Sequence, residues 1–167
     1  MQLISVMALF VALVPGPQAP APKTPAKAPA TAAAKAPAST AARTIEITGG
    51  DDMKYSVTKI DAKPGETLRI VLKSIGTIPK IAMAHNVVVL TLGADAAEFN
   101  KASMMASATE YVPQDQKAKV VASTKLAGPG ETVEVTFKVP AKAGTYTYMC
   151  TFPGHFAAGM KGTLVVQ

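Results

Sequence analysis

Residues 150–166 read CTFPGHFAAGMKGTLVV, and the first eleven of them hold an unusual concentration of metal-binding side chains. They include Cys150, the only cysteine of the chain, His155, one of only two histidines, and Met160. A Pro-Gly pair between the cysteine and the histidine indicates a tight turn. The segments on either side, GTYTYMC and GTLVVQ, have the composition of strands. These donors are therefore expected on one loop between two strands.

The other histidine, His85, opens the apolar segment HNVVVLTL and lies 65 residues before Cys150. A loop at the end of a sandwich can fold over a strand end from elsewhere, so we expect His85 to join the loop donors. A thiolate, two imidazoles and a thioether suit copper in a trigonal site with a long axial methionine. Taken singly, such a cysteine or methionine is usually a buried apolar residue. A sandwich without metal is therefore the alternative.

Short alternating segments rich in β-branched residues fill residues 44–167, which we interpret as one folded domain. They are TIEITGG, KYSVTKI, ETLRIVLKSIG, HNVVVLTL, ETVEVTFKV, GTYTYMC and GTLVVQ. Strands at this spacing, separated by Gly and Pro-Gly, predict an all-β antiparallel sandwich or barrel. HNVVVLTL is apolar almost throughout, which is typical of a strand covered on both faces.

One segment of the domain departs from the strand pattern. Residues 93–112, GADAAEFNKASMMASATEYV, are rich in Ala, Met and Glu and predict a short helical flap. Met104 and Met105 could mark a soft-metal site. The more common role of such residues is to fill a core, and we expect that role here.

The formal charge of +6 is concentrated near the N-terminus. Four basic residues and no acid lie in residues 1–43, which leaves 13 basic and 11 acidic residues for the other 124. A nucleic-acid-binding protein should carry its basic residues on a folded face, so the charge argues against that class. The single cysteine excludes an intramolecular disulfide.

Residues 1–43 divide into a short apolar segment and a longer segment that has no large apolar side chain and cannot contribute to a core. Residues 1–14, MQLISVMALFVALV, resemble a signal peptide, although no basic residue precedes the apolar run. They predict either a cleaved export signal or a retained membrane tether through residues 3–14, and in both cases a periplasmic or other extracytoplasmic location. Residues 15–43 are dominated by Ala and Pro and predict a disordered linker.

CTFPGHFAAGMKGTLVV closely resembles the copper-binding loop and final strand of azurins and auracyanins, both cupredoxins. IPKIAMAHNVVVL and STKLAGPGETVEVTF resemble the azurin segments at the first histidine ligand and before the last hairpin. The resemblance implies an eight-stranded Greek-key sandwich, preceded here by the linker, with one type 1 copper ion. The ligands that it implies are His85, Cys150, His155 and Met160, with a weak contact from the Ala84 carbonyl.

The resemblance also assigns supporting roles around the ligands. It implies that Asn86 ties its strand to Thr151 and that the Phe152 N–H donates to the Cys150 sulfur. The sequence departs from azurins in four ways. Four residues rather than three separate His155 from Met160, Ala84 replaces a glycine, Val87 replaces a tryptophan, and the azurin disulfide cannot form. The first two departures favour a four-coordinate site.

These features predict an electron-transfer protein rather than an enzyme, because no histidine remains for a second copper centre. The expected carrier is a monomer. Its expected partners are redox proteins such as a c-type cytochrome, a copper reductase or a respiratory or photosynthetic complex. We expect docking on the apolar residues around His155, namely Pro153, Phe156, Ala157 and Ala158. A periplasmic copper store or chaperone is the alternative function.

Overall fold

The computed structural model describes residues 41–167. The predicted leader at 1–14 and nearly all of the predicted linker at 15–43 lie outside the described residues, and the first strand begins at Arg43. Within residues 41–167, no helix is both long enough and apolar enough to cross a membrane.

Eight strands form two sheets, which confirms the predicted all-β Greek-key sandwich. The three-stranded sheet has the order β1-β3-β6 and the five-stranded sheet the order β2-β8-β7-β4-β5. The strands are β1 (Arg43–Gly49), β2 (Lys59–Ala62), β3 (Thr67–Ser74), β4 (Val88–Leu90), β5 (Val120–Ser123), β6 (Thr132–Lys138), β7 (Gly144–Met149) and β8 (Lys161–Val166).

The sequence predicted an antiparallel sandwich, but two of the strand pairs are parallel. β1 pairs with β3 in parallel, and β2 pairs with β8 in parallel. The reason lies in residues 54–60, which were expected to form one strand. Tyr55 makes only an isolated bridge to Gly49, and regular pairing resumes at Lys59. The chain uses the residues between them to cross from one sheet to the other, so each sheet receives a parallel edge strand.

The core lies between the two sheets and follows the alternation of the strands. In β3, Leu68, Ile70 and Leu72 are fully buried, whereas the residues between them are partly exposed. Tyr148 and Leu164 cover them from the larger sheet. Since one face of each sheet is buried, a shift of one residue in register would expose these side chains.

β4 is buried on both faces, as predicted from its continuous apolar sequence. One face joins the main core, and the other packs with Phe99 of helix α1 (Ala96–Ser103). Asp95 caps this helix by accepting from the N–H groups of Ala97 and Glu98. The predicted helical flap is therefore present, and two short 3₁₀ segments, Ser107–Thr109 and Gln114–Lys119, follow it.

The expectation that Met104 and Met105 fill the core is wrong. Met104 is 49% exposed and Met105 is 89% exposed. The helix ends at Ser103 and directs Phe99 inward, and this one aromatic side chain covers β4. The two methionines follow the last helical turn and lie on the surface.

The two ends of the sandwich differ in composition. At one end, which we call the site pole, lie Gly49 at the end of β1, His85 before β4, and Cys150 after β7. The opposite end, the remote pole, contains Arg43 at the start of β1, which binds Glu66 and the Asp61 carbonyl. The candidate ligands all belong to the site pole.

We predict that Gly162→Ala is severely destabilising. A Cβ at Gly162 would lie 2.6 Å from the Thr58 carbonyl oxygen and still closer to the buried Tyr148 ring. Overpacking of this kind costs about 3 kcal/mol or more. Gly93→Ala is the control, because Gly93 has a φ of 79° and open space, so only the conformational cost of about 1 kcal/mol applies. Urea unfolding followed by circular dichroism measures both. Equal losses of unfolding free energy would contradict the steric argument.

Candidate metal centre

Three donor side chains from distant parts of the chain meet at the site pole. The donor atoms of His85, Cys150 and His155 all lie within 4.8 Å of one another. The Cys150 sulfur is 3.4 Å from His155 Nδ1, and the two imidazole centroids are 5.0 Å apart. All three residues are buried. The site thus offers two nitrogens and one sulfur to a single ion.

Backbone pairing fixes His85 in place. Its N–H donates to the Ala127 carbonyl at 2.9 Å, and its carbonyl accepts from the Ala127 N–H at 2.7 Å. Its side chain, by contrast, has no partner in the described residues, since neither Nδ1 nor Nε2 makes a hydrogen bond. An unsatisfied buried polar group costs about 1–3 kcal/mol. A metal ion at the centre would satisfy one of these nitrogens.

Both imidazoles are held in the neutral form that binds metal. Burial lowers the pKa of His85, although the nearby carboxylates of Asp51 and Asp52 act in the opposite direction. Burial, followed by the charge of His85, lowers the pKa of His155 to about 4. Neutral imidazoles can ligate a cation near neutral pH without first losing a proton.

Cys150 requires a cation to become a thiolate. Burial raises the pKa of this thiol to about 11, although the backbone N–H groups of Asn86 and Phe152 and the Tyr55 hydroxyl act against that shift. The charge of a bound metal ion favours the deprotonated form. The Ala84 carbonyl oxygen lies 3.9 Å from the sulfur. The donor set therefore fits copper, which favours thiolate and imidazole.

Met160 is fully buried and is tied to the other donors through its backbone. Its N–H donates to the His155 carbonyl at 2.9 Å, and its carbonyl accepts from the Cys150 N–H at 3.0 Å. Gly49 makes room for this arrangement. A Cβ at Gly49 would lie 2.8 Å from the Met160 methyl carbon and 3.2 Å from the His85 ring. The sequence analysis did not identify Gly49, because its role depends on the approach of two distant segments.

Residues 150–160, which we call the ligand loop, are held by their own turns. The His155 N–H donates to the Phe152 carbonyl at 3.1 Å, and the Gly159 N–H donates to the Phe156 carbonyl at 3.0 Å. Gly159 has a φ of 93°, a conformation that glycine adopts readily. The Lys54 ammonium group reaches across from the β1–β2 connection and donates to the Ala158 carbonyl. Lys54 thus fixes the part of the loop that carries the additional residue, a role that local sequence does not reveal.

Asn86 connects the strand end of His85 to the ligand loop. Its Nδ2 donates to Thr151 Oγ1 at 2.8 Å and to the Glu110 carbonyl at 3.2 Å. Its Oδ1 accepts from the Thr151 N–H at 2.9 Å. The amide is therefore satisfied on both sides, and the relative position of two donor-bearing segments is fixed by one side chain.

The residues expected to form a docking surface differ in exposure. Pro153 and Ala157 are exposed, whereas Phe156 and Ala158 are partly buried. His155 is only 2% exposed, so less of its ring reaches solvent than the sequence analysis expected. Phe152 lies below the surface and packs edge-on against Tyr111. The surface over the site is thus small and mostly apolar.

Known proteins share this arrangement. Residues 41–167 match the family model described as copper binding proteins, plastocyanin/azurin family. Auracyanin-A from Chloroflexus aurantiacus is 40% identical to this chain over 127 residues, and the alignment covers 74% of each chain. Azurin from Pseudomonas denitrificans is 39% identical over 126 residues, and the alignment covers 74% of this chain and 97% of the azurin. The crystal structure of dithionite-reduced auracyanin from Roseiflexus castenholzii superposes with a TM-score of 0.68 at 34% identity, covering 76% of this chain and 98% of that chain. The chain therefore belongs to the plastocyanin/azurin family of copper-binding proteins.

Proposed function

We propose that this protein is a blue-copper electron carrier that transfers single electrons between redox partners. The observation that carries the proposal is that the side chains of His85, Cys150 and His155 meet in the interior of the domain. Within the described residues, neither ring nitrogen of His85 has a hydrogen-bond partner. Bound copper supplies the Cu(II)/Cu(I) couple. The proposed roles are thiolate ligand for Cys150, imidazole ligands for His85 and His155, and axial thioether for Met160.

The protein's contribution is to hold these donors in one geometry for both oxidation states. Each donor residue is anchored by backbone hydrogen bonds of 2.7–3.1 Å that do not involve a metal. Asn86 and Lys54 add contacts that hold the ligand loop from two sides. A frame that does not rearrange lowers the cost of adding or removing an electron.

We propose that the Ala84 carbonyl does not bind copper strongly. Its carbonyl faces the Cys150 sulfur at 3.9 Å, and its methyl group is fully buried at a position where azurins usually have glycine. Four residues separate His155 from Met160, one more than in azurins. We therefore favour a site that His85, Cys150, His155 and Met160 would hold without a strong contact from Ala84.

The alternative, a copper store or chaperone, finds less support in the site. Transfer of copper between proteins requires donors that a partner can reach, whereas Cys150 and Met160 are 0% exposed and His155 is 2% exposed. Met104 and Met105 are accessible, but together with Met53 and Met83 they are scattered along the chain and do not form a methionine-rich tract. An enzymatic role would require further ligands, and both histidines of the chain already belong to this site.

We propose that the protein is exported through residues 1–14 and that it exchanges electrons with other redox proteins outside the cytoplasm. The small apolar surface of Pro153, Phe156, Ala157 and Ala158 supports docking above His155. Electron-transfer encounters typically use small, weakly binding surfaces. His155 is the proposed route for the electron because it connects the buried donors to this surface.

We predict that Cys150→Ser abolishes the intense visible absorption of the Cu(II)-loaded protein, because that band arises from the thiolate–copper bond. The control is the double variant Met104→Leu/Met105→Leu, which removes the exposed thioethers and should keep the band. Visible spectra and copper titrations of the full chain measure both. A colourless copper-loaded wild-type protein would contradict the proposed function.

The metal-free protein should lose stability as the pH falls from about 6.5 to about 4. The unfolded chain takes up a proton at His155 near its ordinary pKa of 6.5, whereas the folded form does so only near 4. Stability therefore decreases as the pH drops through this window, by on the order of 3 kcal/mol. His155→Gln should flatten that part of the profile in urea unfolding. A profile that is identical in the variant would exclude His155 as its origin.

We predict that Ala157→Glu slows electron self-exchange between oxidised and reduced copies by about tenfold at low salt. Both docking surfaces would then carry a negative charge where they meet, which costs about 1 kcal/mol or more. Ala141→Glu places the same charge between β6 and β7 at the remote pole and serves as the control. NMR line broadening measures the rate. Equal rates in the two variants would remove this surface as the docking face.

A further inference from the structure

Tyr55 is a buried polar residue beside the metal centre to which the ligand assignments give no role. It lies in the connection between β1 and β2, outside any regular strand, and is 5% exposed. Its hydroxyl donates to the Asn86 carbonyl. Because this bond uses the single hydroxyl proton, Tyr55 acts on the metal centre through Asn86, which follows His85 directly in the chain.

Through this contact Tyr55 completes the immobilisation of Asn86. The side-chain amide of Asn86 is bound to Thr151 and Glu110, and its backbone carbonyl is bound to Tyr55. The backbone N–H of the same residue is directed at the Cys150 sulfur. A residue fixed at its amide and its carbonyl has little freedom to move its N–H away from the sulfur. Loss of the Tyr55 hydroxyl would release one of these restraints on Asn86.

We propose that Tyr55 is a positioning residue of the copper centre, which raises its reduction potential by holding Asn86 in place between His85 and the ligand loop. The inference rests on the proposed blue-copper function. Hydrogen-bond donors around a thiolate withdraw electron density from the sulfur and so weaken its donation to Cu(II) more than to Cu(I). Loosening the Asn86 N–H, as loss of the Tyr55 hydroxyl would do, therefore stabilises the oxidised form and lowers the potential.

The chain offers a matched control in Tyr148. This residue is also a buried tyrosine, its hydroxyl donates to the Val57 carbonyl at 2.6 Å, and its ring lies 5.7 Å from that of Tyr55. Its hydroxyl is not among the groups that act on the Cys150 thiol. Tyr148→Phe and Tyr55→Phe each remove one buried hydroxyl bonded to a backbone carbonyl, so a structural role alone predicts similar effects.

The experiment compares wild type, Tyr55→Phe and Tyr148→Phe as full-length copper-loaded proteins by voltammetry and visible spectroscopy. Urea unfolding of the metal-free proteins gives the stability loss of each variant. Tyr55→Phe should shift the Cu(II)/Cu(I) equilibrium toward Cu(II) by about threefold to tenfold, or about 30–60 mV at 59 mV per tenfold for one electron. It should also move the thiolate–copper band. Tyr148→Phe should lose comparable stability with an unchanged potential and band.

The outcomes separate this inference from the function on which it rests. A wild-type protein that lacks the visible band or a reversible couple overturns both. A blue, reversible wild type with equal potentials in the two tyrosine variants overturns the role of Tyr55 alone. Should Tyr55→Phe not fold, fluorotyrosine incorporated site-specifically at position 55 makes that hydroxyl a stronger donor to the Asn86 carbonyl. The potential should then rise, and an unchanged value overturns the proposal.

Discussion

The metal centre depends on a buried histidine whose ring makes no hydrogen bond with the described residues. His85 carries two unsatisfied nitrogens in a region that excludes water, next to a buried thiol and a second imidazole. Folding leaves the two His85 nitrogens without partners in the described residues, so part of the stability gained elsewhere in the sandwich is offset at the site pole. Metal binding would recover part of that free energy, which couples the stability of the domain to its metal content.

Two kinds of restraint keep the site ordered despite this cost. The first is the strand framework, which places His85 before β4, Cys150 after β7 and Met160 before β8. The second is a set of long-range contacts through Asn86, Lys54 and Tyr55 that crosses between segments. Glu110, whose carbonyl binds Asn86, and Tyr111, which packs on Phe152, both adopt left-handed backbone conformations with φ near 60°. Such strain persists where the surrounding structure fixes the backbone, as it does beside the ligand loop.

Much of the fold and the donor set could be predicted from sequence because the signals are local. The alternation in β3, the continuous apolar run of β4 and the concentration of donors in the ligand loop are each contained in a few neighbouring residues. The contributions of Gly49, Lys54 and Tyr55 were not predicted, since each depends on a partner about 30 to 110 residues away. The parallel pairings and the exposure of Met105 were also missed. Strand direction and surface position follow from tertiary packing, which local composition does not encode.

The direction of β1 determines where the rest of the chain is attached. β1 begins with Arg43 at the remote pole and reaches the site pole only at Gly49, a rise of about 20 Å over six residues. The covalent connection to the preceding residues is therefore at the back of the domain relative to the copper ligands. Any fusion or surface attachment made through that end of β1 would hold the domain at the pole away from the ligand loop.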